Sequence, residues 1–245
     1  MLLEKLKNIR QLFIFGICAV IIGAVVGALD AGFGKMLIYL TVVRERYFFP
    51  LILFLPAAGV IIAKAYSLFG GKCVKGMGLV FQVGHGEEDE IPLRLIPFTV
   101  VGTWLTHLFG GSAGREGVAV QIGATVSHWV GRKLNMASHS KVFLVTGMAA
   151  GFSGLFQTPI AACFFALEVL IAGSLQYTAL FPAVIAAFVA TWVSGSLGLE
   201  KFHYNLQTQI QLDPVFIIKL ILSGIMFGFL ISPLNSAIPS LENSF

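Results

Sequence analysis

What limits this chain most is where its charge is missing. Long apolar runs cover Leu12 to Val43, Pro50 to Phe69, Pro92 to Phe109, Tyr177 to Leu199 and Pro214 to Ile231. Glycine-rich breaks separate several of them, and one break, Gly110-Gly111-Ser112-Ala113-Gly114, leads into Arg115-Glu116-Gly117-Val118. A bilayer core needs roughly 20 apolar residues per helical crossing. Ionisable groups at that depth are expensive and mark functional sites by default. A glycine-rich break that opens a helix leaves backbone N–H groups free, with the positive dipole end facing forward. Such a terminus attracts an anion, and Glu116 supplies a tethered one.

Of the 245 residues, 57% are hydrophobic and only 11% charged, with a mean hydropathy of +0.88. Soluble domains carry about 25% charged residues, so this composition predicts an all-α, polytopic membrane protein. The net charge of +4 comes partly from Lys5, Lys7 and Arg10. They precede the first apolar run and predict an N-terminal tail, residues 1–10, on the cytoplasmic side of the cell membrane. They also account for the basic balance without nucleic acid. Cys18, Cys73 and Cys163 form no Cys-x-x-Cys, and His85, His107, His128, His139 and His203 show no ligand spacing. No metal or cofactor is expected.

Leu12 to Val43 predicts one long tilted helix, with Gly16, Gly23 and Gly27 allowing close neighbours. Gly70 to Phe81 predicts a loop and a short broken helix, followed by the solvated acidic loop His85 to Glu90. Val118 to Val130 reads as a helix too short for a full crossing. Gly147 to Gly154 reads as a second glycine-rich interruption, and residues 233–245 as an end without helix. Tyr47, Trp104, Trp129, Tyr177, Trp192 and Tyr204 fall near span ends, as interfacial aromatics do. Half-length, interrupted helices are the mark of transporters and channels, whose broken helices aim their termini at an ion site.

Gly114-Arg115-Glu116-Gly117 resembles the Gly-(Lys/Arg)-Glu-Gly-Pro motif of the CLC chloride channels and anion/proton antiporters. The likeness continues through Val120-Gln121-Ile122-Gly123, Gly147-Met148-Ala149-Ala150-Gly151, Phe156-Gln157-Thr158-Pro159-Ile160-Ala161 and Glu168. Val118 stands where the family usually has proline. The resemblance implies an inverted-repeat fold, a homodimer with the Tyr177 to Leu199 region near its interface, and Glu116 as the gating, proton-carrying glutamate. It implies an anion site from Gly76, Met77, Gly78, Leu79, Phe81, Gly114, Arg115, Gly117 and Val118.

Three departures refine that expectation. Met77 replaces the serine whose hydroxyl donates to chloride in the family, and a thioether is only a weak acceptor. This resembles the fluoride-exporting branch, in which methionine takes that place and phenylalanine edges help hold the ion; Phe81 is the nearest candidate. Val169 follows Glu168 where proton-coupled chloride antiporters carry a second glutamate. Thirdly, only the first repeat, residues 11–206, is complete, and residues 207–245 begin a second. Fluoride export coupled to protons is therefore expected, in a protein that is not an enzyme. The alternatives are a chloride channel or chloride/proton antiporter and, more distantly, an intramembrane serine protease built on Gly151-Phe152-Ser153-Gly154.

Overall fold

The computed structural model describes residues 2–136, 139–170, 175–201 and 213–242, with side chains described between Arg10 and Ile231. Every regular element among them is helical. His203, Tyr204 and the boundary at residues 206 and 207 lie outside the described residues. The chain divides into two compact units, Met1–Phe202 and His203–Phe245.

The first unit is built on α1 (Leu2–Arg46), a single helix of 45 residues. At 1.5 Å per residue its apolar part, Arg10–Arg46, is about 55 Å long and crosses a 30 Å hydrocarbon layer only if tilted. Gly23 and Gly27 lie against α9 (Leu180–Ser196). A Cβ on Gly23 would meet the Ala186 carbonyl oxygen at 2.6 Å, and one on Gly27 the Ala190 oxygen at 2.5 Å. Gly16, by contrast, meets only the Phe181 and Ile185 side chains, at ordinary contact distance. The face of α9 towards α1 is correspondingly small, with Ala183, Ala186, Ala187 and Ala190 fully buried.

The second expected span is more broken than the sequence implies. It comprises α2 (Phe48–Ile52), α3 (Leu55–Ala65), a π turn (Tyr66–Gly70), a 3-10 turn (Gly71–Lys75) and α4 (Met77–His85). The acidic loop after α4 is pinned. Lys72 and Lys75 meet the Glu88 carboxylate at 2.6 and 2.9 Å, and Arg132 meets Glu90 at 3.4 Å. Hydrogen bonds from Lys72 and then Lys75 hold the Glu88 carboxyl below its usual range. This clamp therefore persists through neutral pH and is lost as pH falls through that lowered value.

Pro92 to Phe109 does not form a full span. The helix there, α5 (Leu95–Leu108), has 14 residues, about 21 Å, because Pro92, Leu93 and Arg94 form the turn that precedes it. Trp104 has a partner inside the fold. It donates to the Phe33 carbonyl at 3.2 Å and stacks on the Phe33 ring, joining α5 to α1. Tyr47, Trp129, Tyr177 and Trp192 are exposed.

Glycine acts differently from expectation in α7 (Ser140–Phe156), which runs unbroken through Gly147–Gly154. These residues create contact. A Cβ on Gly147 would collide with the Gly123 carbonyl oxygen and Ser127 Oγ, and one on Gly151 with the Ala119 carbonyl oxygen. All three targets belong to α6 (Glu116–Lys133), so α6 and α7 touch backbone to backbone. Gly147→Val should cost about 3 kcal/mol or more, the upper end for overpacking. Gly59→Ala, with nothing within 4 Å of its Cβ, should cost nothing measurable. Thermal unfolding of the two variants in detergent checks this pair.

The break after α7 falls at Gln157, in the left-handed region with φ 54, and Pro159 then opens α8 (Pro159–Val169). Ser153 is fully buried, and its hydroxyl is committed to α9 through the Ala187 carbonyl at 2.9 Å and Thr191 Oγ1 at 2.6 Å. That role is structural, and it removes the basis for the serine-protease alternative. In the second unit, α10 (Pro214–Glu242) continues past Pro233 and Pro239, where the sequence predicts no helix. Membrane helices tolerate proline when local adjustments satisfy the freed carbonyl.

Candidate anion-binding site

Two helix N-termini converge. The first belongs to α4. Gly76 lies just before it with φ 52 and ψ −123, a conformation that a residue with a Cβ adopts only under strain. The Gly76 N–H donates to the Cys73 carbonyl at 3.0 Å, and the Leu79 N–H to the Gly76 carbonyl at 3.2 Å. That leaves Met77 and Gly78 as the first-turn donors available to a ligand. Gly78 is exposed, and its Cβ position meets open space. Met77 and Phe81 sit at i and i+4 on one face, half-buried against the core.

The second terminus belongs to α6. Glu116 is its first residue and is exposed. A carboxylate in the first turn of a helix is favoured by the dipole. Its Oε2 lies 3.1 Å from where a Cβ on Gly114 would stand, so the carboxylate folds back over a position that glycine keeps clear. Arg115 is half-buried, its guanidinium carbon 5.8 Å from the centre of the Phe156 ring. Val118 occupies the usual proline position, and it is buried. The turn forms without proline, and α6 starts at Glu116 rather than at Val118, reaching 18 residues.

Gln121 brings the two together. Its side chain is buried and its Oε1 has no hydrogen-bond partner. That oxygen lies 4.0 Å from the Cβ position of Gly76, and Nε2 lies 3.8 Å from that of Gly117. One side chain therefore touches the cap of α4 and the first turn of α6. Sequence reasoning overlooked it as a site residue, although an amide at i+4 from Gly117 in an apolar helix was a readable signal. It also passed over Asp30 in the first apolar run. Asp30 is fully buried against Gly154, with both carboxyl oxygens unpartnered. At the far end, His85 Nε2 donates to the Leu170 carbonyl at 2.9 Å, tying α4 to the end of α8, where Glu168 is exposed.

The voltage gated chloride channel profile matches residues 57–238, which contain both termini. The chain belongs to the voltage-gated chloride channel family. It is 37% identical to the chloride/fluoride channel protein of Pseudomonas syringae pv. tomato, over 71% of this chain and 39% of that relative. It also superposes on the crystal structure of a CLC-type fluoride/proton antiporter with a TM-score of 0.83 and 50% identity, over 90% of this chain and 56% of that one. A slow cyanobacterial Cl−/H+ antiporter shares the fold with a TM-score of 0.66 at 21% identity, over 88% of this chain and 54% of that one. The chain thus spans about half the length, or less, of the relatives it matches. The family's proteins are channels and transporters, and the all-helical CLC fold expected from the sequence is the fold observed.

Proposed function

We propose that this chain carries half of a halide pathway, and that the protein exports fluoride in exchange for protons across the cell membrane. The observation that carries this reading is Met77 at the first position of α4, beside a cap that Gln121 joins to the α6 terminus bearing Glu116. Gln121 of α6 lies beside the cap of α4, so two positive helix ends lie near one another, and the side chain that α4 offers there is a thioether instead of a hydroxyl. Fluoride, small and hard, is then held by the backbone N–H groups of Met77 and Gly78 and of Glu116 to Val118, with the edge of Phe81 nearby. Gly76, Gly114 and Gly117 keep the path clear of side chains. Glu116, exposed at the α6 terminus, competes with the anion when ionised and carries a proton when it leaves.

Residues 207–245 begin the second inverted repeat in this reading, and residues 11–206 are the first. The N-terminus is cytoplasmic, behind Lys5, Lys7 and Arg10. Transport leaves the ions it moves chemically unchanged, so in this reading the protein is a transporter and not an enzyme. A homodimer is supported by α9, whose outer face exposes Phe181, Val184, Phe188 and Trp192 at i, i+3, i+7 and i+11. The test is efflux from liposomes loaded with fluoride or chloride, read with ion-selective electrodes. It should be run on this chain and on a version extended through the second repeat. Fluoride efflux should exceed chloride efflux. Chloride efflux equal to or above it would leave the chloride channel or chloride/proton antiporter reading instead.

A further inference from the structure

The end of α6 opposite Glu116 opens onto space. A cavity of about 290 Å³ lies there, lined by Val83 of α4 and Gly86 just after it, by Glu88 and Asp89, by His128 and Arg132 of α6, and by Ser140 and Phe143 of α7. A second cavity of about 570 Å³ lies between α6 and the segment Glu90 to Arg94, and His128 lines that one too. His128 is 5% exposed, and its Nε2 has no hydrogen-bond partner; the buried Ser140 Oγ has none either. In the tautomer that carries its proton on Nδ1, the neutral ring keeps the Nε2 lone pair and can accept a proton there.

The same helix face continues towards the other end. Gln121, Thr125 and His128 follow one another at i, i+4 and i+7, and all three are buried. Thr125 Oγ1 donates to the Gln121 carbonyl at 2.6 Å, leaving its lone pairs free, and Gln121 Oε1 is unpartnered. The tight backbone contact with α7 uses a different face, through Gly123 and Ser127. The polar face instead borders α4, since Gln121 meets Gly76 at one end and His128 shares the first cavity with Val83 at the other. Glu116 and His128 are about 18 Å apart along the axis. In a helix core, a run of three buried polar groups with two unpartnered atoms costs stability unless it is used or hydrated.

We propose that this seam between α4 and α6 is the proton route, with His128 as its entrance, Thr125 and Gln121 as its guides, and Glu116 as its end. The proposal rests on the proton-coupled reading above, and it supplies the inner route that Val169, in place of a second glutamate, leaves open. His128 Nε2 takes a proton from water in the cavity. The imidazolium then gives that proton to water in the seam, and the Glu116 carboxylate receives it. No charge is created or lost overall. The charged groups around His128 are Glu88, Asp89, Glu90 and Arg94 from the α4–α5 connection, and Arg132 and Lys133 from α6 itself; α7 brings none to the cavity lining. Lys72 and Lys75 already engage Glu88, and Arg132 engages Glu90.

The experiment follows proton flux driven by a fluoride gradient in liposomes. His128→Asn should lower it about tenfold or more and flatten its dependence on pH. Added to Glu116→Gln, the same change should leave anion flux as it was, which separates a proton route from a general loss of fold. Thr125→Val, nearly isosteric and fully buried, should also slow protons and serves if the histidine variant fails to assemble. Full proton coupling in both variants would overturn the route alone. No fluoride-driven proton flux in the unaltered protein would overturn both the route and the exchange reading beneath it.

Discussion

Glu116→Gln is expected to give a protein that still passes fluoride but carries essentially no protons with it, a loss of about a hundredfold or more in proton flux. The amide matches the protonated carboxyl in size and hydrogen bonding and cannot ionise. Glu116 occupies the first position of α6, exposed, with its carboxylate against the clear space at Gly114. The substitution therefore removes a charge without opening a cavity in the core. Fluoride loses its tethered competitor and should leak down its gradient. Parallel recordings of fluoride and pH in the same liposomes check this, and unchanged coupling would remove Glu116 from its role.

The second large effect is a change of ion. Met77→Ser places a hydroxyl at the first turn of α4, where Met77 and Gly78 already present N–H groups. A hydrogen bond to a charged group contributes roughly 1.5–3 kcal/mol, so chloride should gain about tenfold to a hundredfold in relative affinity. Met77 is half-buried, and part of its packing against the core is lost, so stability should fall slightly. The measurement is the ratio of fluoride to chloride efflux in the variant and the unaltered protein. An unchanged ratio would make Met77 a packing residue.

Hydropathy made the membrane fold legible because it depends on sums over many residues. The long α1 helix and the broken region between Gly70 and Phe81 followed from where charge and glycine fall, whereas the breaks between Pro50 and Phe69 did not. The errors came where one residue type serves two opposite ends. Glycine frees the backbone at Gly76 and at Gly110, and both have positive φ. At Gly123, Gly147 and Gly151 it lets two helices touch, and no break results. Only the partner helix distinguishes the two uses, and a sequence read alone does not name the partner. The partner of Trp104, Phe33, is likewise distant in the chain. In the site, Glu116 and Met77 stood out as departures from their surroundings. Gln121 did not, because its importance lies in touching both termini at once.

The central claim, that this protein exchanges fluoride for protons, is tested most directly by letting one ion drive the other. Liposomes holding the protein are loaded with fluoride and placed in fluoride-free buffer at equal pH, with the membrane potential clamped. Fluoride leaving down its gradient should draw protons inward, so that the interior acidifies against no initial pH difference. Fluoride efflux with no change of internal pH would contradict the account.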